Sequence, residues 1–511
     1  AQIVDQDRLE LARVCIREAQ YDRALELLAS CEEWPSPFDE QGVLARVDVL
    51  TRRDPVLALE TLARYSDVFV SEIGRFGYYL ASGKAYANSR NFESALEMFT
   101  SAQSIVEQSH PEGAARLAYQ RMRLRWLTRD YDVDTPDVRL AVGDGDAGLR
   151  FEALIVRGWM FAGREMFDRQ IEDLSAALQI AAEFPDRCDS HAKSRAIHAL
   201  SRIGLEVGDD VAVAVCERAY ESTQWTADLA QDRFLTVRVL AWNAFLQGDS
   251  ARAQWLLRDA KEIAPSQAWQ VTAHVDRAYI ARMNHNDVWA TDELLHAHGL
   301  ARDVSWAATT NEERQALVAL AILFASVDMA QAQRYVSTYI RLGTDSIDPT
   351  LAIAHDRRNV GFEKYATGRV QQVLGNTSSA FRAFETAYTI FSSTGHHFRA
   401  ALAAEGLAET SNDPAWLERA RTHASHFPKS VVYANLKTNG TPASPAHPEG
   451  LSAMRRQLAL ALGEGLELAA LSQRFSRSEF TLKREIQAVY DAYGVTGRSA
   501  LRAALLERGL R

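Results

Sequence analysis

The sequence predicts an all-α protein in which a long array of helical hairpins precedes a small four-helix domain. Apolar residues recur at i, i+3, i+4 and i+7 through most of the chain, which is the period of amphipathic helices. Proline and glycine number only 13 and 27 among 511 residues, and alternating strand patterns are hard to find. Because a chain of this length exceeds one hydrophobic core, it must divide into domains or repeats.

A repeat occupies residues 1–435, which we assign to a helical sensor or interaction domain. Each unit has a short polar turn and then a helix that starts with an acid or amide and carries a small packing residue. The units recur every 33 to 47 residues, the range of helical-hairpin repeats. The clearest second helices start at Tyr21, Asp54, Asn91, Met166, Gly208, Gly248, Asn286, Gly375 and Asn412, with weaker candidates at Tyr131 and Asp328.

Two units carry a pattern that identifies the kind of repeat. The first has Tyr79, Gly83, Tyr86, Ala95, Phe99 and Ala102, and the second repeats the spacing with Gly368, Ala380, Phe384 and Ala387. Small residues are needed where the two helices of a hairpin cross closely, while aromatic residues fill the gap to the next repeat. The region resembles an array of tetratricopeptide (TPR) repeats, which implies a TPR-like α-solenoid.

The resemblance places the first helix of each hairpin on a concave face. If Gly83 and its counterparts mark the close crossing, the inward positions are Lys84, Trp159, Arg202, Trp242, Tyr279 and Arg369, with Arg238, Arg282 and Tyr365 beside them. Aromatic residues interleaved with arginines suit a ligand with apolar parts and an anionic group, such as a peptide with its carboxylate. The alternative is that the aromatics pack between helices and the arginines pair with the many acids of this domain.

The helical rhythm stops before a linker at 436–450, which is rich in proline, glycine and small polar residues. Residues 451–511 then show four short helical patterns at 452–462, 467–475, 479–493 and 498–508. This last domain has ten Lys/Arg against six Asp/Glu, whereas the preceding residues have 47 against 61. The residues before 451 therefore carry a net charge of −14 and the basic last domain carries +4, which together give the −10 of the whole chain.

An ordered set of residues identifies this basic domain. It consists of Glu464, Gly465, Leu466, Leu471, Phe475, Ser478, Thr481, Val489, Tyr490, Gly494, Val495 and Arg498. The set resembles the LuxR-type (NarL/FixJ-type) helix-turn-helix over the whole domain. The resemblance implies binding of double-stranded DNA and a homodimer formed through the last helix. The alternative is a helical cap on the repeat array.

Specific residues follow from this resemblance. In a helix-turn-helix the second motif helix enters the major groove and reads base edges, while hydroxyl and basic groups hold phosphates. Lys483, Arg484 and Gln487 match the base-reading positions, where Arg and Lys suit guanine and Gln suits adenine. The expected phosphate contacts are Ser478, Thr481, Arg474 and Arg477. Phe480, Glu485 and Asp491 replace residues that are commonly basic or histidine in the family, which implies weak, salt-sensitive binding by an isolated domain.

Other function classes lack their signatures. The sequence contains no GxxxxGK[ST], GxSxG or HExxH motif, so no catalytic activity and no cofactor are expected. Its four cysteines have no metal-ligand spacing, and its histidine pairs are expected to be surface or capping residues. The longest apolar run, at 316–325, is about half of a bilayer crossing, and the N-terminus has no apolar signal segment. No membrane association and a cytoplasmic location are therefore expected.

Together these features predict a bacterial transcriptional regulator. Its array would sense a peptide, a small molecule or a protein partner and would thereby control the helix-turn-helix. The alternative function is a TPR protein–protein interaction scaffold that does not bind DNA.

Overall fold

The computed structural model describes residues 2–34, 38–143, 146–344, 357–438, 453–463, 465–475 and 479–507. These residues form 27 α-helices and no β-strand, which confirms the predicted all-α class. The chain divides into two compact units. The first comprises residues 1–273 and 394–396, and the second comprises residues 274–393 and 397–511.

The first unit is a series of helical hairpins in which odd-numbered helices come first and even-numbered helices second. Its helices are α1 (Gln2–Arg17), α2 (Tyr21–Leu27), α3 (Phe38–Arg53), α4 (Pro55–Arg64), α5 (Glu72–Asn88), α6 (Phe92–Gln108), α7 (Ala114–Leu127), α8 (Pro136–Gly143), α9 (Ala147–Gly163), α10 (Phe167–Glu183), α11 (Ser190–Val207), α12 (Asp210–Glu221), α13 (Ala230–Leu246) and α14 (Ser250–Ile263). Helix α15 (Gln267–Met283) contains the boundary between the units.

The second unit continues the hairpins and includes the C-terminal helices. Its helices are α16 (Asp287–Asp303), α17 (Asn311–Phe324), α18 (Met329–Thr344), α19 (Arg357–Val373), α20 (Thr377–Ser393), α21 (His397–Ser411), α22 (Pro414–Ala424), α23 (Val431–Thr438), α24 (Ala453–Gly463), α25 (Leu468–Phe475), α26 (Glu479–Tyr493) and α27 (Arg498–Glu507). Helix α23 includes residues 436–438, which the sequence analysis gives to the linker, and Leu436 is buried in it. Residues 439–450 lie outside the described residues.

The turns inside the hairpins share one backbone geometry. A residue with positive φ lies two positions before the second helix in eight hairpins: Ala19, Arg90, Glu165, Gly208, Gly248, His285, Gly375 and Asn412. In all of these turns except the one at Asn412, the following N–H bonds the carbonyl five residues back, as from Asn91 to the carbonyl of Tyr86 at 2.9 Å. This pattern closes the first helix and turns the chain into the second. All nine clear second-helix starts are confirmed to within two residues, and α18 begins one residue after Asp328.

The start expected at Tyr131 is wrong by five residues. The turn is present, since Arg129 has a φ of 62°, but α8 begins only at Pro136. The carboxylates of Asp130 and Asp132 instead accept the N–H groups two residues ahead at 3.2 and 3.0 Å. Aspartate side chains that bond the local backbone favour turns, and a residue before proline avoids the helical region.

Small residues and aromatic rings set the distance between the paired helices. Gly83 of α5 lies against the ring of Phe99 on α6, where a Cβ would overlap the ring. Phe384 of α20 lies between Gly368 and Gly406, and a Cβ on either glycine would come within 2.6 or 2.9 Å of that ring. Gly83, Phe99, Gly368 and Phe384 are the positions at which the TPR pattern requires glycine and phenylalanine, whereas Gly406 is not part of that pattern.

Substitution of Gly368 by alanine should therefore lower the free energy of unfolding of the second unit by about 1–3 kcal/mol, because the added methyl overpacks the Phe384 ring. The matched control is Gly299→Ala in α16, where a Cβ meets no atom within 4 Å. Gly299→Ala should instead raise the free energy of unfolding by about 0.5–1 kcal/mol, because alanine is the better helix former. Denaturant unfolding of both variants measures the difference, and equal effects would contradict the close-crossing interpretation.

The hairpin turns make a second prediction. His285 is exposed and has a φ of 59°, in the left-handed region. His285→Gly should therefore raise the free energy of unfolding by about 0.5–1 kcal/mol, because glycine adopts this conformation without strain. Gly375 has a φ of 79° with open space around it, and Gly375→Ala should destabilise by about 1 kcal/mol. Melting temperatures that move in the same direction for both variants would show that the turn conformation does not limit stability.

The four C-terminal helices have a hydrophobic core of their own. Its fully buried members include Leu458, Leu471, Leu482, Val489 and Leu501. All four sequence-predicted helices are confirmed to within one residue at each end. Gly465 and Gly494 have φ values of 90° and 67° and close α24 and α26. In each case the glycine N–H bonds the carbonyl three residues back, and the next N–H bonds the carbonyl five residues back, as in the hairpin turns.

Candidate nucleic-acid interface and first-helix row

Helix α26 separates an apolar face from a polar one. Leu482 and Val489 are fully buried in the domain core, whereas Lys483, Arg484 and Gln487 are exposed. Lys483 and Gln487 are four residues apart and thus lie on one face of the helix. The side chain of Arg484 is 81% exposed and makes a long 3.9 Å approach to the carboxylate of Glu485. The three side chains predicted to read bases thus share the solvent side of one helix.

Two acidic residues on α26 have different roles. Glu485, which departs from the family pattern, is only 12% exposed and accepts a hydrogen bond from Arg455 Nε of α24 at 2.6 Å. Its charge is compensated inside the domain, where it links α24 to α26. Asp491 remains exposed and accepts a hydrogen bond from the Gln487 amide at 2.8 Å. This bond uses one of the two N–H donors of the Gln487 amide and does not use the amide oxygen.

The expected phosphate-binding residues lie where α25 ends and α26 begins. Arg474 is exposed in the last turn of α25, and Thr481 is half-buried in the first turn of α26. Ser478 and Arg477 lie outside the described residues, as does Glu464.

In the first unit, two of the predicted ligand-face residues, Lys84 and Trp159, contact neighbouring first helices. We call all nine predicted ligand-face side chains, in both units, the first-helix row. Lys84 of α5 forms an ion pair with Asp48 of α3. The Trp159 ring of α9 lies 4.9 Å from the ring of Trp126 on α7 and 4.9 Å from the guanidinium of Arg195 on α11. The row therefore connects consecutive hairpins of this unit.

Arg52 of α3 is the centre of a polar network that the sequence analysis missed. Its guanidinium donates to the Tyr21 hydroxyl at 3.1 Å and pairs with Asp189 at 3.0 Å and Asp48 at 3.3 Å. Burial opposes ionisation of Asp48, but the charges of Lys84 and Arg52 hold its pKa well below the usual value. The i, i+4 spacing of Asp48 and Arg52 was visible in the sequence. Asp189, 137 residues further along, gave no such signal.

Glu152 is a second buried group near this network. Burial raises the pKa of its carboxyl, and the charge of Asp189 raises it further. A hydrogen bond with Tyr119 and the charge of Arg52 oppose the shift. The ion pair of Arg52 with Asp189, which precedes α11, connects the first hairpins to the start of that helix.

In the second unit, Arg369 of α19 belongs to the first-helix row. Its guanidinium pairs with Glu409 of α21 at 2.7 Å, approaches Glu405 at 3.9 Å and donates to the Tyr365 hydroxyl at 3.1 Å. Tyr365 itself is 3% exposed. Arg282 of α15 donates to the carbonyl of Leu323 at 3.0 Å. Burial lowers the pKa of Arg282, and the charge of Arg369 contributes to that shift.

The remaining predicted ligand-face residues are at least partly covered. Trp242 and Tyr279 are 7% and 8% exposed, and Arg202 and Arg238 are half-buried. Trp242 packs edge-on against Phe245 of its own helix at 5.9 Å. A ligand role for the nine predicted residues stays a prediction. The contacts described above engage six of them in packing, hydrogen bonds or ion pairs: Lys84, Trp159, Trp242, Arg282, Tyr365 and Arg369.

Arg369→Gln should destabilise the second unit in a pH-dependent way. Burial raises the pKa of Glu405, and Arg369 opposes that shift, so the variant should raise this pKa further. The carboxyl of Glu405 then holds its proton more tightly in the folded state than in the unfolded state. The free energy of unfolding of the variant therefore falls as the pH rises from about 4.5, the ordinary pKa, through the raised pKa. The deficit in melting temperature against the wild type should therefore be larger at about pH 7.5 than at about pH 5.5.

The matched control for this experiment is Glu405→Gln in the Arg369→Gln background, which should remove the pH dependence of the deficit. A deficit that is equal at both pH values in the single variant would contradict the assignment of the effect to Glu405.

No known protein family and no curated protein matches this sequence. Solved structures share a general likeness. The apo form of the quorum sensor NprR from B. thuringiensis is 10% identical, with 75% of this chain and 98% of that chain covered and a TM-score of 0.39. A Rap protein complexed with competence and sporulation factor is 12% identical, with 86% of this chain and 99% of that chain covered and a TM-score of 0.33. At these identities and TM-scores, such likeness carries no argument about function.

None of the described helices combines the length and the apolar character that a membrane crossing requires.

Proposed function

We propose that this protein is a cytoplasmic, non-catalytic transcriptional regulator that binds double-stranded DNA through α26. The observation that carries the proposal is the exposed face of Lys483, Arg484 and Gln487 on a helix whose opposite face is buried in a separate four-helix core. A helix presented in this way fits the major groove, with Arg and Lys directed at guanine and Gln at adenine. Arg474 and Thr481 would hold phosphates beside it, together with Ser478 and Arg477.

The resemblance to LuxR-type domains supports the same assignment and adds a homodimer through α27. The array would sense a peptide, a small molecule or a protein partner along the first-helix row and so control the DNA-binding domain. A ligand that enters this row has to compete with existing ion pairs, such as those of Lys84 and Arg369. An anionic ligand group can replace the carboxylates in these pairs.

The second candidate function is a TPR interaction scaffold. The observation that favours it is the acidic character of residues 1–450, which have 47 Lys/Arg against 61 Asp/Glu and disfavour approach to DNA. In this alternative the C-terminal helices dock a protein, and the exposed cations of α26 have no role in nucleic-acid retention.

DNA binding by the full-length chain separates the two candidates. Lys483→Ala and Arg484→Ala should each weaken binding of a labelled duplex by about fivefold or more, because each removes a contact worth about 1–3 kcal/mol. Fluorescence anisotropy across a salt series measures the affinity, which should fall steeply as salt rises.

Arg382→Ala is the matched control, because it removes the same charge from an exposed position on α20, outside the C-terminal helices. Its affinity should remain within about twofold of the wild type. If all three variants bind equally, or if the wild type is not retained by DNA at low salt, the scaffold becomes the better account.

A further inference from the structure

A cavity of about 320 Å³ lies in the second unit, with walls from α16, α17, α18 and the turn that follows α16. Its lining contains none of the residues assigned above to DNA or to the first-helix row. The volume is at the lower end of the range for small-molecule sites, about 300–1,000 Å³. It suits a metabolite rather than a folded partner.

Two arginines give this cavity its charge. Arg302 of α16 and Arg334 of α18 both line it, and both side chains are exposed. Neither guanidinium forms a hydrogen bond or an ion pair with a residue that the structure describes. Arg369 in the same unit is instead paired with Glu409. The cavity thus has two planar cationic groups that form no ion pair with a carboxylate of the described residues.

The other titratable groups of the cavity do not neutralise this charge. His298 and Tyr335 share a hydrogen bond of 2.7 Å between Nδ1 and the hydroxyl oxygen. Burial and then the charge of Arg302 lower the pKa of His298; the charge of Asp328 opposes this shift, and that of Arg334 adds to it. Burial raises the pKa of Tyr335 to about 12. Both side chains are therefore neutral at neutral pH. The nearby carboxylate of Asp328 accepts the Gln331 N–H at the start of α18.

A rigid aromatic wall lies beside the two cations. The Trp306 indole donates from Nε1 to the carbonyl of Ala301 at 3.0 Å, which fixes the plane of its ring. Arg314 donates to the carbonyls of Trp306 and Ala307 at 3.2 and 3.0 Å and so holds the turn in place. Aromatic faces that are held in this way suit the flat, apolar part of a ligand.

We propose that this cavity binds a small metabolite that carries a phosphate or a carboxylate group on a flat ring. The anionic group lies between Arg302 and Arg334, whose guanidinium groups match the geometry of either anion. The ring lies against Trp306 and Tyr335. This site is additional to the proposed binding of DNA and does not depend on it.

Isothermal titration of the full-length chain with four probes tests the proposal. Phenyl phosphate and benzoate carry both the ring and the charge, inorganic phosphate carries the charge alone, and benzyl alcohol carries the ring alone. One of the two ring anions should bind at least about tenfold more tightly than phosphate or benzyl alcohol. Whichever of them binds more tightly identifies the anionic group.

Variants place the ligand in the cavity. Arg302→Gln and Arg334→Gln should each weaken the tighter ring anion by about tenfold, since a hydrogen bond to a charged group contributes about 1.5–3 kcal/mol. Arg382→Gln removes the same charge from an exposed position on α20 that does not line the cavity, and it should leave the affinity unchanged.

Three results would overturn the proposal. The first is that benzyl alcohol binds as tightly as the ring anions, and the second is that Arg382→Gln lowers the affinity as much as Arg302→Gln and Arg334→Gln do. The third is that no probe gives heat at millimolar concentration. Since no DNA is present, these results are independent of the proposed regulatory function.

Discussion

The close crossing of the two helices in each hairpin governs the arrangement of this protein. At Gly83 and Gly368 there is no room for a side chain, because the rings of Phe99 and Phe384 occupy the space. Helices that approach so closely must keep a fixed register, since ridges of one pack into grooves of the other. The register in turn fixes which residues of the first helices face their neighbours. The ion pair of Lys84 with Asp48 and that of Arg369 with Glu409 both follow from it.

The cations of the chain fall into two groups. Lys84, Arg369 and Arg52 are paired with carboxylates, and truncating one partner of such a pair leaves the charge of the other without compensation. Lys483 and Arg484 on α26, and Arg302 and Arg334 at the cavity, are exposed to solvent. The paired group contributes to the fold, whereas the exposed group is available to external anions. Net charge alone hides this division, because the acidic array outweighs the basic domain.

Local signals made most of the fold predictable. Turn chemistry and helical periodicity placed nine second helices and the four C-terminal helices, because helix ends depend on a few neighbouring residues. The start expected at Tyr131 failed since a proline five residues later and an aspartate-rich stretch delay the helix. Residues 436–438 were predicted to belong to the linker, but they lie in α23, where Leu436 is buried.

The sites were only partly predictable, because their geometry depends on residues distant in sequence. Helical spacing placed Lys483 and Gln487 on one face, but the inward role of Glu485 required Arg455, thirty residues earlier. Periodicity also assigned Tyr365 to an inward position without indicating how completely its neighbours cover it. The cavity is the extreme case, since its walls come from three helices and a turn and match no motif.

Recovery of genomic DNA fragments by the purified full-length chain tests the central claim most directly. Sheared DNA from the source organism is incubated with the protein at near-physiological salt, and the retained fragments are sequenced. The account predicts enrichment of a few fragments that share one sequence element, because base contacts from α26 favour specific sites over the excess of others. Uniform recovery of all fragments, or recovery of none at any salt concentration, would contradict it.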